Sequence, residues 1–251
     1  MLDDKQRSEY LSAGVHIGMK ASSAYMKQFI YKTREDGLAV LNLEEVHNRI
    51  AHAVTILSKY NKILVVGHKD TALEPAKKFA EVTESNAMCN RFSPGTLTNP
   101  SYRDFYEPDV VLIVDPSIDN QAIEEAKKRR VPIIGLCGTS NDPTDIDFVI
   151  PMNNNSRKAL ALFFLILSRG LLKAKGKIKD DSEFKYTVLD FGDTGKPKKA
   201  AGSPELQLGD DVDIDIEIEI EGDGKEKKRK ANPKGSKSKD SKRPSKKKPK
   251  E

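Results

Sequence analysis

Residues 90–116 read NRFSPGTLTNPSYRDFYEPDVVLIVDP, a polar excursion that runs without pause into a buried strand. The continuous, largely β-branched run at 110–114, closed by Asp115-Pro116, is the pattern of a strand covered on both faces and stopped by a turn. Ahead of it stand three prolines, one glycine, four Ser/Thr hydroxyls and two arginines, with Phe92, Tyr102, Phe105 and Tyr106 interspersed. A structureless stretch of this length in a compact domain is functional or disordered. The aromatics predict that this one is pinned down, as a rigid presentation loop.

Working outward, the same buried-strand signature recurs at 62–67, KILVVG, and at 131–136. Shorter runs at 88–89 and 147–150 complete a set of five. Between them apolar residues recur at helical spacing. Val46, Ile50, Ala53, Val54 and Leu57 mark a helix over 44–60, opened by Asn42 as N-cap. Leu73, Ala76, Phe79 and Val82 mark a second, capped by Asp70 or Thr71. Ala122, Ile123 and Ala126 mark a third over 119–129, and a long one follows over 156–173. Strands alternating with helices imply βαβ crossovers. The fold predicted is a doubly wound, flavodoxin-like α/β domain, with a parallel five-stranded sheet and helices on both faces.

Ahead of this domain, residues 5–14 suit a short helix ending at Gly14. The runs 29–31 and 38–43 then form a hairpin across Asp36-Gly37, which places Lys32 and Arg34 near its tip. The core with its hairpin is expected to span 1–180, an extension 181–224 and a low-complexity tail 225–251. Within the extension 185–191 has the character of one more strand. Residues 211–221 alternate Val/Ile with carboxylates, which fits a strand added to a sheet edge or a partner, and equally a disordered polyampholyte.

Charge is unevenly distributed. Residues 225–251 carry fourteen Lys/Arg against three acids, and 209–224 carry eight carboxylates and no base. The remaining 208 residues are nearly neutral at +2, so the basic character belongs to the tail. Such a tail suits a polyanion such as RNA, or is a solvated charge run. The start, Met1-Leu2-Asp3-Asp4-Lys5, lacks the apolar stretch of a leader. The longest apolar run, at 159–167, is too short for a bilayer, so a soluble protein is expected. Cys89 and Cys137 flank apolar residues and suit buried thiols in a reducing compartment.

In an open parallel sheet a ligand binds at the C-terminal strand ends. Here those ends carry Gly67-His68-Lys69, Asn90-Arg91, Asp115-Pro116-Ser117, Cys137-Gly138-Thr139 and residues 151–155. No dinucleotide fingerprint, P-loop, nucleophile elbow or zincin motif occurs among them. His68 suits a hydrogen-bonded turn residue better than a general base without a partner. Asp115 and Asp119 could pair, although one ends a strand and the other starts a helix. Asn153, Asn154 and Asn155 suit caps of the last helix. His16, between Val15 and Ile17, suits packing or a phosphate contact. Basic residues fall instead on connections and helix ends: Lys20, Lys27, Lys32, Arg34, Arg91, Arg103, Arg157, Lys158 and Arg169. Together with the polar groups of Ser93, Thr96, Thr98 and Asn99 they suit the backbone and 2′-hydroxyl contacts by which RNA is held.

A resemblance adds to this reading. YLSAGVHIG (10–18), FIYKTREDG (29–37), ILVVG (63–67), KFAEVT (78–83), RFSPGTLTNP (91–100), EPDV (107–110), DPSIDNQA (115–122), PMNN (151–154) and LSRGLL (167–172) occur in order. Together they resemble the family of ribosomal protein two of the small subunit, in its archaeal and eukaryotic branch. The helix at 44–60 passes directly into strand 62–66, leaving no room for the coiled-coil insertion of bacterial members. The resemblance implies a non-enzymatic, cytoplasmic constituent of the small ribosomal subunit, without cofactor, at the head–body junction near the messenger exit. Its partners would be ribosomal RNA and neighbouring proteins. Departures are Gly138, where the family often has Asp, Asn155-Ser156, where it often has Lys-Gly, and the basic tail. The rival from another class is a flavodoxin-like enzyme acting on a phosphorylated metabolite. It would need a glycine-rich phosphate loop where this chain has Gly67-His68-Lys69-Asp70.

Overall fold

The computed structural model describes residues 3–178 and 183–192. The alternating stretch 211–221 and the basic tail 225–251 lie outside the described residues. Helix α1 (Asp4–Ala13) ends at Gly14, whose φ of +70° is the left-handed cap a glycine supplies without strain. A 3-10 turn at Tyr25–Phe29 leads into β1 (Ile30–Thr33), which pairs antiparallel with β2 (Ala39–Leu41). Gly37, at φ +81°, completes the turn between them. Lys32 lies within β1, and only Arg34 of the two predicted tip residues is in the turn.

The domain proper then alternates α2 (Leu43–Ser58), β3 (Ile63–Val66), α3 (Asp70–Thr83), β4 (Asn86–Met88), β5 (Val110–Ile113), α4 (Asn120–Arg129), β6 (Ile133–Cys137), β7 (Phe148–Pro151) and α5 (Arg157–Ala174). The sheet is parallel with order β4-β3-β5-β6-β7. That is the flavodoxin-like order, with its switch point between β3 and β5. Every residue of β3, β5 and β6 is buried, which is why these segments read as unbroken apolar runs.

Side-chain alternation along each strand builds two cores. Ile63, Val65, Val110, Leu112, Ile134 and Leu136 face α2, α3 and α5, where Phe79, Phe163 and Phe164 pack at centroid separations of 5.2–5.4 Å. Leu64, Val66, Val111, Ile113 and Ile133 face α4 and, beside it, Phe92 and Leu97. The second face is therefore covered by one helix and by the loop between β4 and β5. That loop covers core as well as presenting residues, because a bare sheet face would leave apolar surface in water.

Three local readings are corrected. The N-cap of α3 is Lys69, with Asp70 inside the first turn. The cap of α5 is Ser156, because the preceding asparagines are held elsewhere. Residues 188–191 form a 3-10 turn, with Phe191 fully buried and Thr187 and Asp190 closing a capping box. No strand forms there among the described residues.

Candidate functional site

At the switch point the chain has spent its polar groups on itself. Asp115 is 6% exposed. Its carboxylate accepts from the Lys69 ammonium at 2.8 Å, the Asn141 amide at 2.9 Å and the Ser117 N–H at 3.1 Å. Asn141 also donates to the Ser117 hydroxyl at 2.7 Å and accepts from Gly138 N–H at 2.7 Å. Asn154 donates to the carbonyls of Val114 and Leu136 and to Asn141 Oδ1, stitching β5, β6 and the β7 exit together. The Asp119 carboxylate accepts from the backbone N–H of His68, at 3.4 Å. Burial pushes its pKa up to about 6, helped by Asp115 and opposed by the His68 hydrogen bond. The His68 ring is exposed. Burial also pushes Cys137 up to about 12 and raises Cys89, so both thiols stay protonated at neutral pH.

Over this network lies the chain's own N-terminal segment, residues 14–23. Met19 N–H donates to Thr139 Oγ1 at 2.8 Å, Thr139 Oγ1 donates to Ala21 O at 3.1 Å, and Ser23 N–H donates to Thr139 O at 2.8 Å. Asn153 N–H and Nδ2 hold Val15 O and Gly14 O, each at 3.0 Å. The segment passes this close because Gly18 has no side chain. A Cβ there would stand 2.5 Å from Thr139 Cγ2 and 2.9 Å from Ala39 O. The same segment pairs with β2, through Gly18 N–H to Ala39 O at 2.8 Å and Leu41 N–H to His16 O at 2.9 Å. One strap thus covers the ends of β6 and β7 and fixes the hairpin.

The long loop has its own anchor, Glu125 on α4, which is 2% exposed. Its carboxylate accepts from Gly95 N–H at 2.7 Å, Leu97 N–H at 3.0 Å, Thr98 Oγ1 at 3.3 Å and Gln121 Nε2 at 3.0 Å. Burial by itself would raise its pKa. The four hydrogen bonds outweigh burial and hold the carboxyl below its ordinary value. The sequence reading missed this residue, whose loop partners lie 27 to 30 positions away. An acid on the inward face of a predicted helix, beside Ala122 and Ala126, was the available signal.

The predicted contact residues separate into groups. Thr96 is 2% exposed with its hydroxyl on Ser93 O, and Thr98 turns inward to Glu125. Thr96 therefore leaves the candidate surface, while Arg91, Asn99 and Arg103 remain exposed on the loop. Lys20 and Lys27 are exposed on the strap and the 3-10 turn. Arg157 is half-buried and Lys158 exposed at the start of α5, where Lys158 lines a cleft with Glu9 and Arg169. Lys32 and Arg34 share a groove of about 580 Å³ with Arg7, Leu11, His16, Tyr31, Val40, Leu43 and Glu44. Arg7 and Tyr31 were missed, because nothing in the periodicity of α1 or β1 sets them apart. Arg49, by contrast, is structural. Its guanidinium lies 5.0 and 5.4 Å from the Phe29 and Phe148 ring centroids.

Sequence comparison agrees with this organisation. The family profile described as Ribosomal protein S2 matches residues 10–103 and 102–174, which is most of the described chain. The chain belongs to the ribosomal protein S2 family. Its similarity is to the archaeal and eukaryotic branch. The Small ribosomal subunit protein uS2 of Thermoplasma acidophilum is 42% identical over 185 residues, covering 73% of this chain and 93% of that protein. The proteins of the same name from Nanoarchaeum equitans and Thermoplasma volcanium are also 42% identical, over 184 and 185 residues, at 72% and 73% of this chain. Nearly all of each relative is matched by under three quarters of this chain, so this S2-family chain is the longer one. No helix among the described residues is long and apolar enough to cross a membrane.

Proposed function

We propose that this chain is a structural constituent of the small ribosomal subunit, holding ribosomal RNA and neighbouring proteins at the head–body junction in the cytoplasm. The observation that carries the reading is the strap. The ends of β6 and β7 are covered by residues 14–23, and the switch point where a doubly wound sheet takes its ligand is filled by Lys69, Asp115, Asn141 and Asn154, in a family whose relatives are named as small-subunit proteins. The sheet acts as scaffold, and chemistry at the strand ends plays no part in the work.

RNA contact falls to the exposed cations and amide Lys20, Lys27, Arg91, Asn99, Arg103 and Lys158, with Arg157 half-buried at the start of α5. They suit phosphate and sugar contacts, which position a protein without reading sequence. Thr98 supports the loop from inside.

Sedimentation of a cell extract through a gradient, with the chain followed immunologically, tests the assignment. Comigration with small subunits is expected, and a free pool with none in that fraction would overturn it. Arg91→Glu should reduce incorporation into subunits while leaving the urea midpoint of the isolated chain unchanged. Wild-type incorporation by this variant would remove the loop cations from the contact set.

A further inference from the structure

Five of the eight large hydrophobic side chains exposed among the described residues fall between positions 11 and 31: Leu11 at 47%, Ile17 at 43%, Met19 at 45%, Tyr25 at 50% and Tyr31 at 72%. Two of them, Leu11 and Tyr31, lie in one groove, whereas Met19 lies against Ser140 and Asn155 at the strand ends; exposed apolar side chains that share a surface mark a docking site, since scattered single ones are ordinary. Leu11 and Tyr31 line the groove between α1, the hairpin and the start of α2, and Val40 and Leu43 continue its apolar wall. Its lining charges are Arg7, Lys32 and Arg34 against Glu44, and Arg34 also pairs with Asp36 beside the groove at 3.2 Å.

The hairpin supplies the third element. β2 is bonded on both sides, by β1 and by the strap through the Ile17–Val40 bridge. β1 is bonded on one side only, so its other edge is open among the described residues, and Tyr31, Lys32 and Thr33 are exposed along it. An open edge takes an extended chain by backbone pairing, with pockets beside it selecting alternate side chains.

We propose that this groove and the open edge of β1 together receive an extended segment of a neighbouring ribosomal protein in which aliphatic and acidic residues alternate. The aliphatic side chains enter the groove beside Leu11, Tyr31 and Val40. The carboxylates meet Arg7, Lys32 and Arg34 at its rim. RNA fits this surface less well, because phosphates and sugars have no use for Leu11, Val40 and Leu43. Lys32 and Arg34 thereby leave the RNA-contacting set. The inference rests on the ribosomal assignment above.

The test is a photo-crosslink from the full-length chain, with p-benzoylphenylalanine at position 31, irradiated in small subunits purified by gradient and mapped by mass spectrometry. The expected product is a protein adduct whose attachment point lies in an acidic-aliphatic stretch of another subunit protein. Lys32→Glu combined with Arg34→Glu should lower its yield several-fold per chain recovered in the subunit fraction. An adduct to RNA, an adduct within this chain, no adduct, or a yield indifferent to the charge reversal would each overturn the inference. The two readings fail separately. A chain missing from the subunit fraction defeats the ribosomal assignment, whereas a chain present there with the wrong adduct defeats only the docking surface.

Discussion

Removing the Glu125 carboxylate should release the loop that closes the second face of the sheet. The acid receives two backbone N–H groups, from Gly95 and Leu97, together with the Thr98 hydroxyl and the Gln121 amide. Leu97 is 1% exposed, so water cannot replace the lost acceptor there. Hydrogen bonds to a charged group contribute about 1.5–3 kcal/mol each, and a buried group left unpaired costs about 1–3 kcal/mol. Glu125→Ala orphans both N–H groups and should cost about 3–5 kcal/mol, a large part of the roughly 5–15 kcal/mol that holds a domain folded. Glu125→Gln keeps the shape and one oxygen but turns an NH₂ toward donors, so about 1.5–3 kcal/mol is expected.

The assay is urea denaturation combined with amide exchange. Gly95 and Leu97 should exchange much faster in Glu125→Ala, while Val111, Leu112 and Ile113 in β5 keep protection up to the global limit. Because the carboxyl is held below its ordinary value, its contribution is fully present above the unfolded-state pKa and is lost as pH falls through the folded one. Glu125→Gln should therefore show a shallower loss of stability on acidification than the wild type. Wild-type exchange at residues 95 and 97 in the alanine variant would show that Phe92 and Leu97 alone hold the loop.

Two further outcomes follow from the strand ends. Thr139→Val preserves shape but removes the acceptor for Met19 N–H and the donor to Ala21 O, so a cost of about 1–3 kcal/mol is expected. Exchange at Met19 should quicken and Thr139→Ser should restore it; unchanged exchange in the valine variant would show that the strap is held elsewhere. Asp119, at about 6, binds its proton more tightly folded than unfolded, so its cost to the fold is absent at low pH, grows from about pH 4 and is complete above pH 6. Asp119→Asn should then gain about 2–3 kcal/mol in urea titrations at pH 7.5 and little at pH 4. An equal gain at both pH values would mean that ionisation of Asp119 is not the cause.

Much of the architecture is legible without coordinates, because burial on two faces writes itself into neighbouring residues. The runs at 63–66, 110–113 and 133–137 announce buried parallel strands, and α2 and α4 show their inward faces at helical spacing. Motifs such as RFSPGTLTNP carry the family in the same local way. Short polar signals serve less well. Asp70 and the asparagines at 153–155 look like helix caps by composition, yet Lys69 and Ser156 hold those positions while Asn153 and Asn154 reach across the chain.

The sequence by itself determined the class of fold, the order of its elements, the family and the presence of a pinned loop, since each depends on residues a few positions apart. Only the tertiary structure decided what that loop and the N-terminal segment do. The loop replaces a helix under the hold of Glu125, and the segment covers the end of β6 through Gly18 and Thr139. Those partners stand 27 to about 120 residues apart, and a hydrogen bond between distant residues leaves no periodic trace in the chain that makes it.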